Sequence, residues 1–222
     1  MHSEQRYSRR KGSEDLETTL RKRINSHSLR DLPHAERRLS ERDSTLAEVI
    51  CSQPERWPTQ PTEDPIWGLI RIVMAQQIST QLASRIADRV RSLHPHITKP
   101  SPATIPEVGE LRAIGLSERR AVCCVSILHR SEEIQSEVRQ GKTWQEALSN
   151  IKGIGPWTLS MFRIMVLREP DVLPLGDVGL ERAIANVYGA GRDVEELSEN
   201  WRPFRSLACW YLWRTLGNAQ LG

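Results

Sequence analysis

No stretch of this sequence stays apolar for the roughly 18 residues that a bilayer-spanning helix needs, and no apolar leader core follows Met1. That argues against a helical membrane protein and sets the expectation of an intracellular one. Cysteine is scarce: Cys51, Cys123, Cys124 and Cys209 have neither the density of a disulfide scaffold nor metal-site spacing. Cys123 and Cys124, adjacent on a predicted helix, point apart and make a poor chelate, so no metal site is expected. Net charge is also small, +3 over 222 residues. Residues 1–39 hold ten Lys or Arg against six Asp or Glu, which leaves 21 basic and 22 acidic residues for the rest. A nearly neutral body has no broad positive field, and would grip a polyanion only through a few placed donors. Alternating apolar and polar runs are missing too, which excludes a sheet and points to an all-α body.

What is present suits a soluble globular chain: 38% hydrophobic and 27% charged residues, long enough for one domain or two small ones. Residues 1–40 read as a basic flexible tail, with clusters Arg9-Arg10-Lys11 and Arg21-Lys22-Arg23 and a short helix over Leu16 to Ile24. Such a tail either adds salt-sensitive affinity for nucleic acid or is an ordinary solvated terminus. Order is expected from Asp43, a helix cap ahead of Leu46, Val49 and Ile50. A proline-punctuated connector follows from Pro54 to Pro65. An apolar helix over Ile66 to Ala75 then breaks at Gln76-Gln77. Ser79 caps the next helix, with Leu82, Ile86 and Val90 in register. Two glutamines at such a break either cap neighbouring backbone or reach a polar ligand.

Further on, Leu111 to Ser117 forms a weak helical hairpin, with Ser117 capping a helix through Leu128. A helix near Trp144 to Ser149 leads into the stretch around which the chain is organised, Asn150-Ile-Lys-Gly-Ile-Gly-Pro-Trp-Thr158. Gly153-Ile154-Gly155 between two helices makes a turn too tight for side chains, and Pro156 fits the first position of the helix that follows. Free N–H groups at that helix start suit a phosphate oxygen, although a plain αα corner needs the same glycines. Pro170 and Pro174 then hold the chain extended, and Asp177 opens a helix carrying Leu180, Ile184, Val187 and Tyr188. The last helix, from Pro203, has the stripe Phe204, Leu207, Ala208 and Tyr211, with Trp213 opposite it.

Leu148-x-x-Ile-Lys-Gly-Ile-Gly-x-x-Thr158 followed by Val172-Leu-Pro-Leu-Gly-Asp177 resembles the helix-hairpin-helix glycine/proline/aspartate signature of base-excision DNA glycosylases. Gln76-Gln77-Ile78-Ser79-Thr80 and Trp201-Arg-Pro-Phe-Arg-Ser206 through Trp213 are similar to two further segments of its alkylation-repair branch, the 3-methyladenine DNA glycosylase II type. The resemblance implies a two-lobed helical bundle over residues 41–222, with an active-site cleft between the lobes. The four-cysteine iron–sulfur cluster of some relatives is not expected, since only Cys209 lies in the right region.

By the same resemblance Asp177 is the catalytic carboxylate, which stabilises an oxocarbenium-like sugar, although an Asp before a helix also serves as an ordinary cap. Trp157, Trp213, Met161 and Gln76 would line the base pocket. Gln77, Ser79, Lys152, Gly153, Ile154, Gly155, Thr158 and Arg205 would contact DNA, Gln77 on a loop that enters the minor groove. Strand-cleaving relatives carry a Schiff-base lysine at the position of Trp157, so a monofunctional hydrolase is implied. The expected activity is excision of 3-methyladenine and 7-methylguanine from double-stranded DNA. The alternatives are a glycosylase for deaminated or mispaired bases, or a non-catalytic helix-hairpin-helix DNA binder. No cofactor is expected beyond a monovalent cation at the hairpin, and no membrane. The chain would act as a monomer, in the cytoplasm and nucleoid of a bacterium or in the nucleus of a eukaryote.

Overall fold

The computed structural model describes residues 31–58, 64–98 and 101–217, and among them every regular element is helical. The helices are α1 (Leu32–Arg42), α2 (Ser44–Ser52), α3 (Pro65–Ala75), α4 (Thr80–Leu93), α5 (Val108–Ile114), α6 (Glu118–His129), α7 (Ser131–Arg139), α8 (Trp144–Leu148), α9 (Pro156–Met165), α10 (Val178–Tyr188), α11 (Val194–Ser198) and α12 (Arg205–Arg214). None of them is long and apolar enough to cross a membrane.

Two hydrophobic cores organise these helices. The first takes Trp67, Ile70 and Val73 of α3, Ile86 and Val90 of α4, Cys124 and Ile127 of α6, and Leu148 of α8. The second takes Leu39 of α1, Leu46 of α2, Ile184 of α10, and Leu207 and Tyr211 of α12. The helix after the hairpin, α9, belongs to both: Phe162 packs into the first core, Met161 and Ile164 into the second. Residues on opposite sides of one helix thus tie the two lobes together.

Helix starts follow local chemistry. Asp64 accepts from the N–H groups of Ile66 and Trp67, Ser79 from Leu82, and Thr143 forms a capping box with Glu146. Asp43 caps α2 through Leu46 N–H as expected. It also accepts from Tyr188 Oη and Trp201 Nε1, both at 2.8 Å. Burial, together with that carboxylate, raises the Tyr188 pKa well above the usual phenol value.

Three expectations are corrected. The tail does not reach residue 40: α1 begins at Leu32 and buries Ala35 and Leu39, while Glu36 binds Tyr211 and Arg56. Those apolar residues keep helical spacing but are diluted by Arg37, Arg38, Glu41 and Arg42, so composition alone reads as solvated. The proposed helix over Leu16 to Ile24 lies outside the described residues. Leu82, although in register with Ile86 and Val90, is 46% exposed. Finally, α12 starts at Arg205 rather than Pro203 and is no amphipathic surface helix: every residue from Ser206 to Trp213 is buried.

Candidate active site

Asp177 sits at the N-cap of α10, at the end of a connector that α12 holds at several points. Ser206 N–H donates to Pro170 O at 3.1 Å, Val172 N–H donates to Ser206 Oγ at 3.0 Å, and Arg205 forks onto the Asp171 carboxylate, with Nε to Oδ1 at 2.6 Å. At its far end α12 reaches Asp177 itself. Trp213 Nε1 donates to Asp177 Oδ1 at 2.8 Å, and Leu180 N–H donates to the same oxygen at 2.6 Å. Trp157 Nε1, from the first turn of α9, donates to Oδ2 at 2.7 Å. The carboxylate, 9% exposed, is therefore fixed by three N–H donors from three helices. An ionised carboxylate accepts about four hydrogen bonds, which leaves one acceptor site on Oδ2.

Gly179 makes this packing possible. A Cβ there would lie 3.1 Å from Asp177 Oδ1 and 3.6 Å from the Trp213 indole. Leu175 and Val178, on either side of Asp177 in the chain, are 51% and 75% exposed.

The hairpin lies at the other end of Trp157. Gly153 has φ +106 and sits directly over Cys123, whose Sγ would be 2.9 Å from an added Cβ. Gly155 has ordinary extended backbone, φ −97 and ψ 179, and an added Cβ there meets nothing within 4 Å. Positive φ is thus required at the first glycine only, while the second stands open to the outside. Pro156 holds the first position of α9, and the first intrahelical bond runs from Leu159 N–H to Gly155 O. The N–H groups ahead of it have no partner within the helix and lie at the positive end of its dipole.

Proteins with known names resemble this chain over most of its length. DNA-3-methyladenine glycosylase 1 of Schizosaccharomyces pombe is 30% identical over 200 residues, spanning 83% of this chain and 87% of that one. This chain belongs to the 3-methyladenine DNA glycosylase family. A second relative from the same yeast, an alkylbase DNA glycosidase-like protein, is 26% identical over 83% of this chain and 93% of its own length. Among solved structures, an S. pombe 3-methyladenine DNA glycosylase in complex with abasic DNA superposes with a TM-score of 0.66 at 27% identity, covering 83% of this chain and 97% of that one. No family model matches the chain.

The glycosylase fold gathers some of the residues singled out from sequence and separates others. Asp177, Trp157 and Trp213 converge, with indole edges rather than faces on the carboxylate. Gln77, Ser79 and Lys152 are exposed, and Gly153 and Ile154 partly so. Thr158 is corrected: it is 3% exposed and its hydroxyl accepts from Gln76 Nε2 at 2.8 Å, so it cannot meet DNA. The Gln76 amide also donates to Gly153 O and so braces the hairpin. Arg205 is committed to Asp171, and Met161 is buried in the second core. Ser117 precedes α6, but its hydroxyl does not cap that helix and instead accepts from Arg120 Nε at 3.1 Å. Gly179, Arg120 and the exposed pair Leu175 and Val178 were missed. Only Val178 left a signal, being apolar but out of register with Leu180 and Ile184.

Proposed function

We propose that this chain is a monofunctional DNA glycosylase that extrudes alkylated purines, 3-methyladenine and 7-methylguanine, from duplex DNA and hydrolyses their glycosidic bonds, acting as a monomer. The observation that carries this reading is the Asp177 carboxylate, locked by two indole N–H groups and a helix start with one acceptor site left over. Extrusion costs a few kcal/mol, and phosphate contact at the start of α9, around Gly153 to Trp157, helps to offset it. The same reading includes a monovalent cation at the hairpin, for which Ile151 O and Gly153 O, each accepting one N–H, are the candidate ligands.

An alkylated purine is cationic, and an indole face attracts it by about 0.5–2 kcal/mol depending on desolvation. Its charge also makes it a good leaving group. The carboxylate then has two tasks: to stabilise the oxocarbenium-like sugar and to aim water at the anomeric carbon. The hydrogen-bonding neighbours of Asp177 are indoles and a backbone N–H, with no amine to form a Schiff base, which supports hydrolysis without strand cleavage.

The test is incubation with methylated duplex DNA, with free bases resolved by chromatography and strands by denaturing gel. We expect release of methylated purines and strands that break only after alkali. Strand scission without alkali, or no base release, would overturn the reading.

Two variants probe its parts. Trp157→Phe keeps an aromatic ring but removes one donor to a charged acceptor, worth about 1.5–3 kcal/mol. Single-turnover release should slow roughly 10- to 100-fold, and a wild-type rate would remove Trp157 from the mechanism. Gly155→Ala introduces neither strain nor overlap, so thermal stability should stay within about 0.5 kcal/mol of wild type. Its methyl group would nevertheless stand where the phosphate approaches. Anisotropy titration should show affinity for duplex DNA lowered roughly tenfold, about 1.4 kcal/mol.

A further inference from the structure

Between α3 and α4 the chain turns through Gln77, which adopts φ +58, a conformation uncommon for a residue other than glycine. Its side chain is exposed. Two side chains brace this turn. Arg120, on α6, donates from Nη1 to Met74 O at 2.9 Å and to Gln76 O at 3.3 Å, while its Nε is fixed by Ser117 Oγ at 3.1 Å. Both carbonyls lie at the C-terminal end of α3, where a cation is favoured by the helix dipole. Gln76 O belongs to the peptide linking Gln76 to Gln77, so Arg120 sets the plane from which Gln77 turns. Gln76 itself spans the lobe's surface: its Nε2 donates to Thr158 Oγ1 at 2.8 Å and to Gly153 O at 3.3 Å, both in the hairpin segment.

We infer that Arg120 and Gln76 are positioning residues that join the Gln77 turn and the phosphate-gripping hairpin into one rigid DNA-reading unit, so that Gln77 enters the duplex at a set distance from the gripped backbone. This rests on the glycosylase reading above, together with the expectation from the resemblance that the turn enters the minor groove as the damaged nucleotide leaves. Without the lock the hairpin could still hold phosphate, but Gln77 would sample other backbone conformations and extrusion would slow. In this inference Arg120 acts through Gln77 rather than on the sugar or the base.

That dependence makes the inference testable. The substrates are a duplex oligonucleotide with one 7-methylguanine paired to cytosine, and the same strand with the lesion opposite an abasic analogue, where the base is already poorly held. Single-turnover release is measured for the wild type, Arg120→Ala, Gln77→Ala and the double variant, with thermal unfolding for each. Arg120→Ala is expected to slow release from the paired duplex roughly tenfold, to act much less on the unpaired substrate, and to add nothing once Gln77 is alanine. Arg120→Lys, which can reach the same carbonyls, should recover part of the loss.

Equal slowing by Arg120→Ala in the wild-type and Gln77→Ala backgrounds would overturn the lock and leave the glycosylase reading standing. A Gln77→Ala variant as fast as wild type on the paired duplex would overturn the lock together with the role of the turn. No release by any protein would bring down the glycosylase reading, and the lock with it.

Discussion

Asp177→Asn is expected to reduce base release by a factor on the order of 10² to 10³ or more, the scale associated with losing a preorganised charge-stabilising group at a reacting centre. The geometry predicts how the variant fails. The asparagine oxygen can take the place of Oδ1, accepting from Leu180 N–H and Trp213 Nε1, so the helix cap survives. The new amide nitrogen then faces Trp157 Nε1, where Oδ2 had accepted at 2.7 Å, and two donors meet head to head. That mismatch costs about 1–3 kcal/mol of stability and turns the Trp157 edge away. Charge and alignment are therefore lost together. The measurement is single-turnover release beside thermal unfolding and affinity for abasic-site duplex. A folded variant that binds but does not release is the expected result, whereas release within tenfold of wild type would transfer the chemistry to another group.

Gly153→Ala carries the second large effect, and its cause lies in the core. The backbone at φ +106 is strained for any side chain, and the new methyl would overlap Cys123 Sγ at 2.9 Å. Cys123 is 2% exposed, with its thiol pKa pushed up by burial to about 11, so it behaves as packed core with little freedom to withdraw. We expect a loss of about 2–4 kcal/mol, which for a chain of this size lowers Tm by roughly 5–15 °C, together with weaker DNA binding as the turn lifts. Cys123→Ala in the same chain removes the Sγ overlap but leaves the residue-123 Cβ at 3.1 Å from the new methyl, and it does not touch the φ strain. It should restore only part of the stability, read from denaturant unfolding. Gly153→Ala at wild-type stability would show that the turn relaxes without cost. Set against Gly155→Ala, which should spare stability and weaken binding, the pair separates a glycine that folding needs from one that the ligand needs.

Much of this architecture was legible because it is local. Asp43, Ser79 and Asp177 cap helices that begin within three residues of them, and Pro156 marks the start of α9. The helical wheel that placed Trp213 opposite the stripe of α12 left two outcomes open, packing under another element or lining a cavity. The indole packs on the start of α10 because Gly179 leaves room for it. Gln76 likewise had two uses available, and it braces backbone. Arg205 shows the opposite case: a basic residue in a family segment reads as a DNA contact until Asp171, 34 residues earlier in the chain, is seen to hold it.

Sequence alone therefore determined the helical class, the tight hairpin and the aspartate after it, since caps, glycines and apolar spacing act over a few residues. Only the tertiary structure decided which donors converge on Asp177, which hairpin glycine folding requires, and that Arg120 hydrogen-bonds a turn more than forty residues away. Those contacts join helices far apart in the chain, and their geometry follows from how two cores pack around α9, a property that no local pattern of residues encodes.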